Sequence, residues 1–143
     1  MSYAAWKPWV ASRRQLTTWA EAALGPKARS TFLSVRVVGD AGSRRLNALY
    51  RNKDKPTNVL SFGGTASTPD GRRFLGELVI CAPVVAREAS VQGKSLAAHW
   101  AHMTVHGVLH LQGFDHERER EAVKMERKEI QILDRLGFSN PYR

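Results

Sequence analysis

SLAAHWAHMTVHGVLHLQGFDH, from Ser95 to His116, is the stretch that decides the fold. Ser95 can accept a hydrogen bond from an early helical N–H and so caps a helix. From Leu96 to Gln112 the side chains are apolar almost all the way round, which predicts a central, buried helix rather than a surface one. Gly113 ends it, because glycine enters the left-handed region without steric cost. All five histidines of the chain fall between positions 99 and 116. His99, His102, His106 and His110 follow at intervals of 3, 4 and 4 residues, so they form one stripe along this helix.

Outward from this helix, the chain alternates helical and strand-like segments. Residues 12–24 predict a helix opened by Ser12 and closed by Gly25-Pro26. TFLSVRVVG (31–39) is rich in β-branched residues and predicts a strand. SRRLNALYR (43–51) predicts a helix with Ser43 as its N-cap and Leu46, Leu49 and Tyr50 on its apolar face. After the polar loop NKDKP, TNVLSFGG reads as a second strand. Asp70-Gly71 marks a hairpin-like turn, and FLGELVIC is a third strand paired with the second. Pro83 opens a helix that runs to Gln92.

The last helix spans Glu117 to Leu136, with an apolar stripe of Ala122, Met125, Ile132, Leu133 and Leu136 and a solvated face of alternating charge. Glu129 falls in the middle of that stripe and reads as a buried or half-buried ion pair, with support of a metal site as the rarer alternative. The expected fold is α+β: one compact domain over residues 1–143, with a small mixed sheet packed with helices around the central histidine-bearing helix.

A hydrophobic content of 43% and a charged content of 24% place the chain among ordinary globular proteins. No apolar run approaches the roughly 20 residues that span a bilayer. The first 25 residues lack a continuous apolar core of the secretory kind, so a cytoplasmic location and no membrane partner are expected. Cys81 is the only cysteine, which excludes an internal disulfide and a cysteine-rich zinc site; it reads as a small hydrophobe on a strand. The net charge is +9, and its distribution is uneven. Residues 1–116 hold 15 basic against 7 acidic side chains, whereas 117–143 hold 7 against 6. Clusters at Arg13-Arg14, Arg44-Arg45, Arg51-Lys53-Lys55 and Arg72-Arg73 favour a polyanionic partner.

The histidine stripe carries the chemistry. One turn apart, His106 and His110 have Cβ atoms about 5–6 Å from each other, within reach of one ion. Gly113 lets the chain double back, and His116 then closes a third corner. The pattern is the H-x-x-x-H-x-x-G-x-x-H run of zinc-binding metalloproteases. Three neutral nitrogens leave a coordination position open, as catalytic zinc sites do. His102 faces the same way one turn earlier, either towards a substrate or as a core histidine paired with a backbone carbonyl. Asp115 either caps the last helix or hydrogen-bonds a ligand histidine.

In the proteases a glutamate follows the first histidine and takes the proton from water. Here that position is Gly107. Peptide hydrolysis suffers badly from the loss, since a poor amine leaving group needs an acid. Phosphodiester cleavage can instead use a metal together with cations that hold the developing negative charge. The site therefore leans towards a phosphate substrate.

LNALYRNKDKPTNVLSF (46–62), LGELVIC (75–81), HGVLHLQGFDH (106–116) and MERKEIQILDRLG (125–137) together closely resemble the YbeY family of bacterial endoribonucleases and rRNA maturation factors. The resemblance covers the chain from about Arg44 onward and is weak over the first 30 residues. It implies a compact α+β fold and one zinc ion on His106, His110 and His116, with other first-row divalent metals also acceptable to such a site. It further implies single-strand-specific RNA cleavage in small-subunit rRNA 3′-end maturation and ribosome quality control. The partners it implies are rRNA and the small ribosomal subunit, with ribosomal proteins and an assembly GTPase as candidates; DNA is not expected.

By position, Arg51 matches the family's functional arginine. A guanidinium can grip phosphate through two hydrogen bonds, although a helix C-terminal arginine can also simply complement the helix dipole. Lys53 and Lys55 are lesser candidates for guiding RNA, and Thr57 and Asn58 either line a groove or form the turn before a strand. The chain departs from the family pattern at Glu77, Phe114 and Gly63, where aspartate, tyrosine and proline are usual. None of these removes a ligand. Two rivals stand beside the nuclease: a non-catalytic RNA-binding ribosome-assembly factor with a structural zinc, and a metallopeptidase, which Gly107 argues against. Whether water or the RNA 2′-OH is the nucleophile stays open.

Overall fold

The computed structural model describes residues 2–3, 10–64, 66–114 and 118–143. Four strands, β1 (Ser2–Tyr3), β2 (Thr31–Val38), β3 (Val59–Gly63) and β4 (Arg73–Cys81), form one sheet in the order β1-β2-β4-β3. β2 runs parallel to both β1 and β4, and β3 pairs antiparallel with β4, as the second and third strands were expected to do. The sheet is therefore mixed, and β3 lies at an edge. β1 is only two residues long, too short to show a strand periodicity.

Among the described residues five α-helices accompany the sheet: α1 (Arg13–Leu24), α2 (Asp40–Arg51), α3 (Ala82–Gln92), α4 (Leu96–Leu111) and α5 (Glu119–Arg135). The α+β expectation holds. Ser12 opens α1 with a reciprocal capping box, its hydroxyl accepting from the Gln15 N–H and the Gln15 side chain accepting from the Ser12 N–H. Ser95 caps α4 through the Ala98 N–H at 3.1 Å. Gly113 adopts φ 102°, a left-handed conformation suited to glycine.

Both faces of the sheet are covered, which explains the unbroken apolar run at the end of β4. Leu78 and Ile80 join the main core with α1, α3, α4 and α5. Their neighbours Val79 and Cys81 point the other way, into a smaller cluster with Leu46 of α2 and Phe62 of β3. The central position of α4 is confirmed by Trp100, Ala101, Val105 and Val108, all almost fully buried. Gly107 lets this helix approach the sheet: a Cβ there would stand 2.8 Å from Leu78 Cδ2 and 3.4 Å from Val59 Cγ2. The position that holds the catalytic glutamate in the proteases thus faces packed core and has no room for a side chain.

Helix α2 departs from expectation in two ways. It begins at Asp40 with Gly39 as N-cap, not at Ser43. Ser43 is instead buried, accepting from the Thr57 N–H and donating to the Thr57 carbonyl, both at 2.9 Å. Leu46, Leu49 and Tyr50 share one face of α2, but Leu49 and Tyr50 are 70% and 62% exposed. The fully buried residues of α2, Ser43 and Asn47, are polar and hold the following loop, while Leu46 packs against the smaller apolar cluster.

Candidate active site

A cleft of about 400 Å³ opens at the β3 edge of the sheet, where the ends of α2 and α4 meet. It is lined by Tyr50 and Arg51 from α2, by Val59 to Phe62 from β3, and by His106 and His110 from α4. Arg51 is the last residue of α2, and Asn52 after it takes the left-handed conformation (φ 57°) that turns the chain away. Three side chains of α2 fix the following loop. Asn47 donates to the Lys55 carbonyl at 2.8 Å, Ser43 brackets Thr57, and Arg44 grips Asp54 through two bonds of 2.7 and 2.9 Å. Arg51, Lys53 and Lys55 are exposed along this braced segment. Thr57 is spent on Ser43, and the Asn58 amide donates to Glu88 at 3.2 Å, so both belong to the turn before β3.

The histidine stripe runs from core to solvent. His99 and His102 are buried, the His106 side chain is 24% exposed, and His110 is exposed. His99 Nε2 meets Glu88 Oε1 at 2.8 Å. His102 pairs with a carboxylate and not with a backbone carbonyl: its Nε2 lies 2.8 Å from Glu129 Oε1. The same oxygen lies 3.1 Å from His106 Nδ1, and the Tyr142 hydroxyl donates to Glu129 Oε2 at 2.9 Å. Glu129 is thus fully buried, with histidine and tyrosine partners, and it joins α4, α5 and the C-terminal segment in one network.

The electrostatics of this network favour an ionised Glu129 and a neutral His102. Burial alone would raise the Glu129 carboxyl, but the hydrogen bonds from His102 and His106 outweigh it and hold the group down at about 2. Burial depresses His102, against the pull of Glu129, so its ring stays neutral near pH 7. Burial and then the Glu129 charge push the Tyr142 hydroxyl up, which keeps it a donor. His106 turns Nδ1 towards the Glu129 carboxylate and reaches the cleft with the rest of its ring. Ligand histidines are commonly oriented in this way, with a carboxylate on the other ring nitrogen.

His102, His106 and Glu129 each offer one donor atom within 4.8 Å of the others, so this trio could itself hold an ion. Two ligands about 2.0–2.1 Å from a tetrahedral ion stand roughly 3.3 Å apart. The 2.8 Å between His102 Nε2 and Glu129 Oε1 is tighter than that and suits a shared proton. His106 and His110 both line the cleft, and imidazole nitrogens are apt donors for zinc and its first-row neighbours. His116 and Asp115 lie outside the described residues.

The sequence signal for Glu129 was a lone carboxylate in an apolar stripe, and that signal was sound. Tyr142 had none, since it follows the last helix by several residues and no periodicity reaches it.

Fold and cleft define an α+β protein in which a guanidinium and two imidazoles face one another across a sheet edge. The family model described as endoribonuclease YbeY matches residues 6–137, and the chain belongs to that family. Its fold is similar to the solution structure of TM1509 from Thermotoga maritima, with a TM-score of 0.59 at 20% identity, covering 99% of this chain and 97% of that one. Among the described residues no helix is long and apolar enough to cross a membrane.

Proposed function

We propose that this chain is a zinc-dependent endoribonuclease that cuts single-stranded RNA. Its setting is small-subunit rRNA 3′-end maturation and ribosome quality control in the cytoplasm. Ribosomal proteins and an assembly GTPase are its further partners, and residues 1–143 act as one domain. The observation that carries the reading is the shared cleft: Arg51, His106 and His110, far apart in sequence, line the same cavity. Family membership supplies the class of reaction, hydrolytic cleavage of RNA.

In this reading His106, His110 and His116 hold the ion. A divalent ion there supplies Lewis acidity, lowering the pKa of water and polarising a phosphoryl oxygen. Glu129 orients the His106 ring through Nδ1. His102 and Tyr142 hold Glu129 in turn. Arg51 grips the scissile phosphate and offsets the negative charge that grows on it, a task for an always-charged, fork-shaped group. Position 107 contributes no base, because a side chain there would strike Leu78.

The test is cleavage of small-subunit rRNA bearing an unprocessed 3′ end, comparing the parent protein with Arg51→Ala and His110→Ala purified identically. Cutting by the parent alone supports the proposal. Equal behaviour of all three preparations overturns it in favour of a non-catalytic RNA-binding assembly factor.

A further inference from the structure

Tyr50 is an aromatic ring left in water beside the cleft. It is 62% exposed, yet it lines the cavity with Arg51 and the two histidines. Phe62 of β3 packs against it edge-on, with ring centroids 5.0 Å apart and planes at 67°. That contact holds the tyrosine ring at the cleft wall while most of its surface stays accessible. The core gains little from such an arrangement, since apolar burial stabilises only what leaves water. The surroundings are cationic: Arg51 is the next residue, and Lys53 and Lys55 follow on the braced loop.

We propose that Tyr50 is a stacking platform for one unpaired nucleobase next to the phosphate held by Arg51. The proposal rests on the nuclease reading of the cleft and extends it to a substrate subsite. A fixed aromatic beside a row of cations matches the two demands of a flexible polynucleotide, π-stacking for a base and charge for the backbone. A base can reach the ring only when it is unstacked from its neighbours and unpaired. Duplex RNA, with its bases engaged, could meet only the cations. Tyr50 therefore discriminates strand state, whereas Arg51 and the lysines do not.

The test is equilibrium binding of the full chain to a fluorescein-labelled single-stranded RNA octamer and to the corresponding duplex, read by anisotropy with probe integrity checked on a gel. Tyr50→Leu keeps apolar bulk and removes the π-face; it should weaken single-strand binding on the order of 5- to 150-fold and change duplex binding less than about twofold. Tyr50→Phe and Tyr50→Trp should bind the single strand like the parent. Arg51→Ala should weaken both probes.

The proposal is overturned if Tyr50→Leu binds the single strand like the parent, or weakens both probes alike. It is also overturned if Tyr50→Phe is as weak as Tyr50→Leu, or if the parent binds no single strand. The outcomes separate the two readings. Tyr50-dependent binding without cleavage would sink the nuclease and leave the platform standing, whereas cleavage with Tyr50-independent binding would do the reverse.

Discussion

The two halves of helix α4 carry the same residue type on the same stripe and put it to opposite uses. In the first half, His99 and His102 are buried and each presents Nε2 to a glutamate, Glu88 and Glu129 respectively. Their Nδ1 atoms are buried with no hydrogen-bond partner among the described residues. In the second half, His106 gives Nδ1 to Glu129 and reaches the cleft, which it lines together with exposed His110. His99 and His102 meet their glutamates through Nε2, whereas His106 meets Glu129 through Nδ1. Exposure along the helix axis follows the same division.

That contrast can be broken most severely at its chemical end. His106→Ala should abolish stoichiometric metal retention and lower RNA cleavage by about 100-fold or more, the scale on which removal of a charge-stabilising group acts. His99→Gln should retain the metal and the cut, and alter only thermal stability. Metal content by mass spectrometry beside a cleavage assay checks both arms; equal metal loss in the two variants would erase the distinction between the halves.

Glu129 serves both halves, so its replacement sharpens the comparison. Glu129→Gln keeps the shape but weakens acceptance from two histidines and Tyr142. Metal affinity should fall about 10- to 100-fold, the usual result of losing the partner that orients a ligand histidine. Competition with a chelator of known affinity measures it. An unchanged affinity would mean that Glu129 supports only the buried half.

Within the second half sits Gly107, and filling it tests why no glutamate follows His106. Gly107→Glu should cost about 1–3 kcal/mol through overpacking against Leu78 and Val59, and should yield no peptidase activity. Urea unfolding reads the first and a casein assay the second.

The smallest expected effect belongs to the buried half alone. The hydrogen bond from His99 lowers the Glu88 carboxyl below its usual 4.5, against burial and with help from Asn58. A depressed carboxylate contributes stability that is fully present above about 4.5 and lost as pH falls through the lower folded value. Glu88→Gln should therefore flatten the acid limb of the stability curve. Urea midpoints that fall as steeply with acid as the parent's would show that the His99–Glu88 pair contributes nothing there.

The sequence by itself determined the local architecture and the histidine register. A helix apolar on every side must be buried, and spacings of 3 and 4 residues put His99 to His110 on one stripe in any environment. Capping serines and alternating β-branched runs likewise act through neighbours a few positions away, which is why α1, α3, α4 and the β3–β4 pair were legible. Arg51 was reached through resemblance alone, since a helix-terminal arginine looks the same with or without a phosphate to hold. The apolar pattern of α2 does not report the exposure of Leu49 and Tyr50, because Ser43 and Asn47 on the buried side fasten the helix to a loop.

Tertiary structure decided the rest. Which nitrogen of His99, His102 and His106 is occupied depends on carboxylates delivered by other helices, Glu88 from α3 and Glu129 from α5. That Arg51 and Tyr50 face His106 and His110 depends on α2 and α4 meeting around the β3 edge. Sequence periodicity reports only which face of an element is apolar. The packing of those faces determines which distant residues meet, because contact between them is set by the shared core and not by their spacing along the chain.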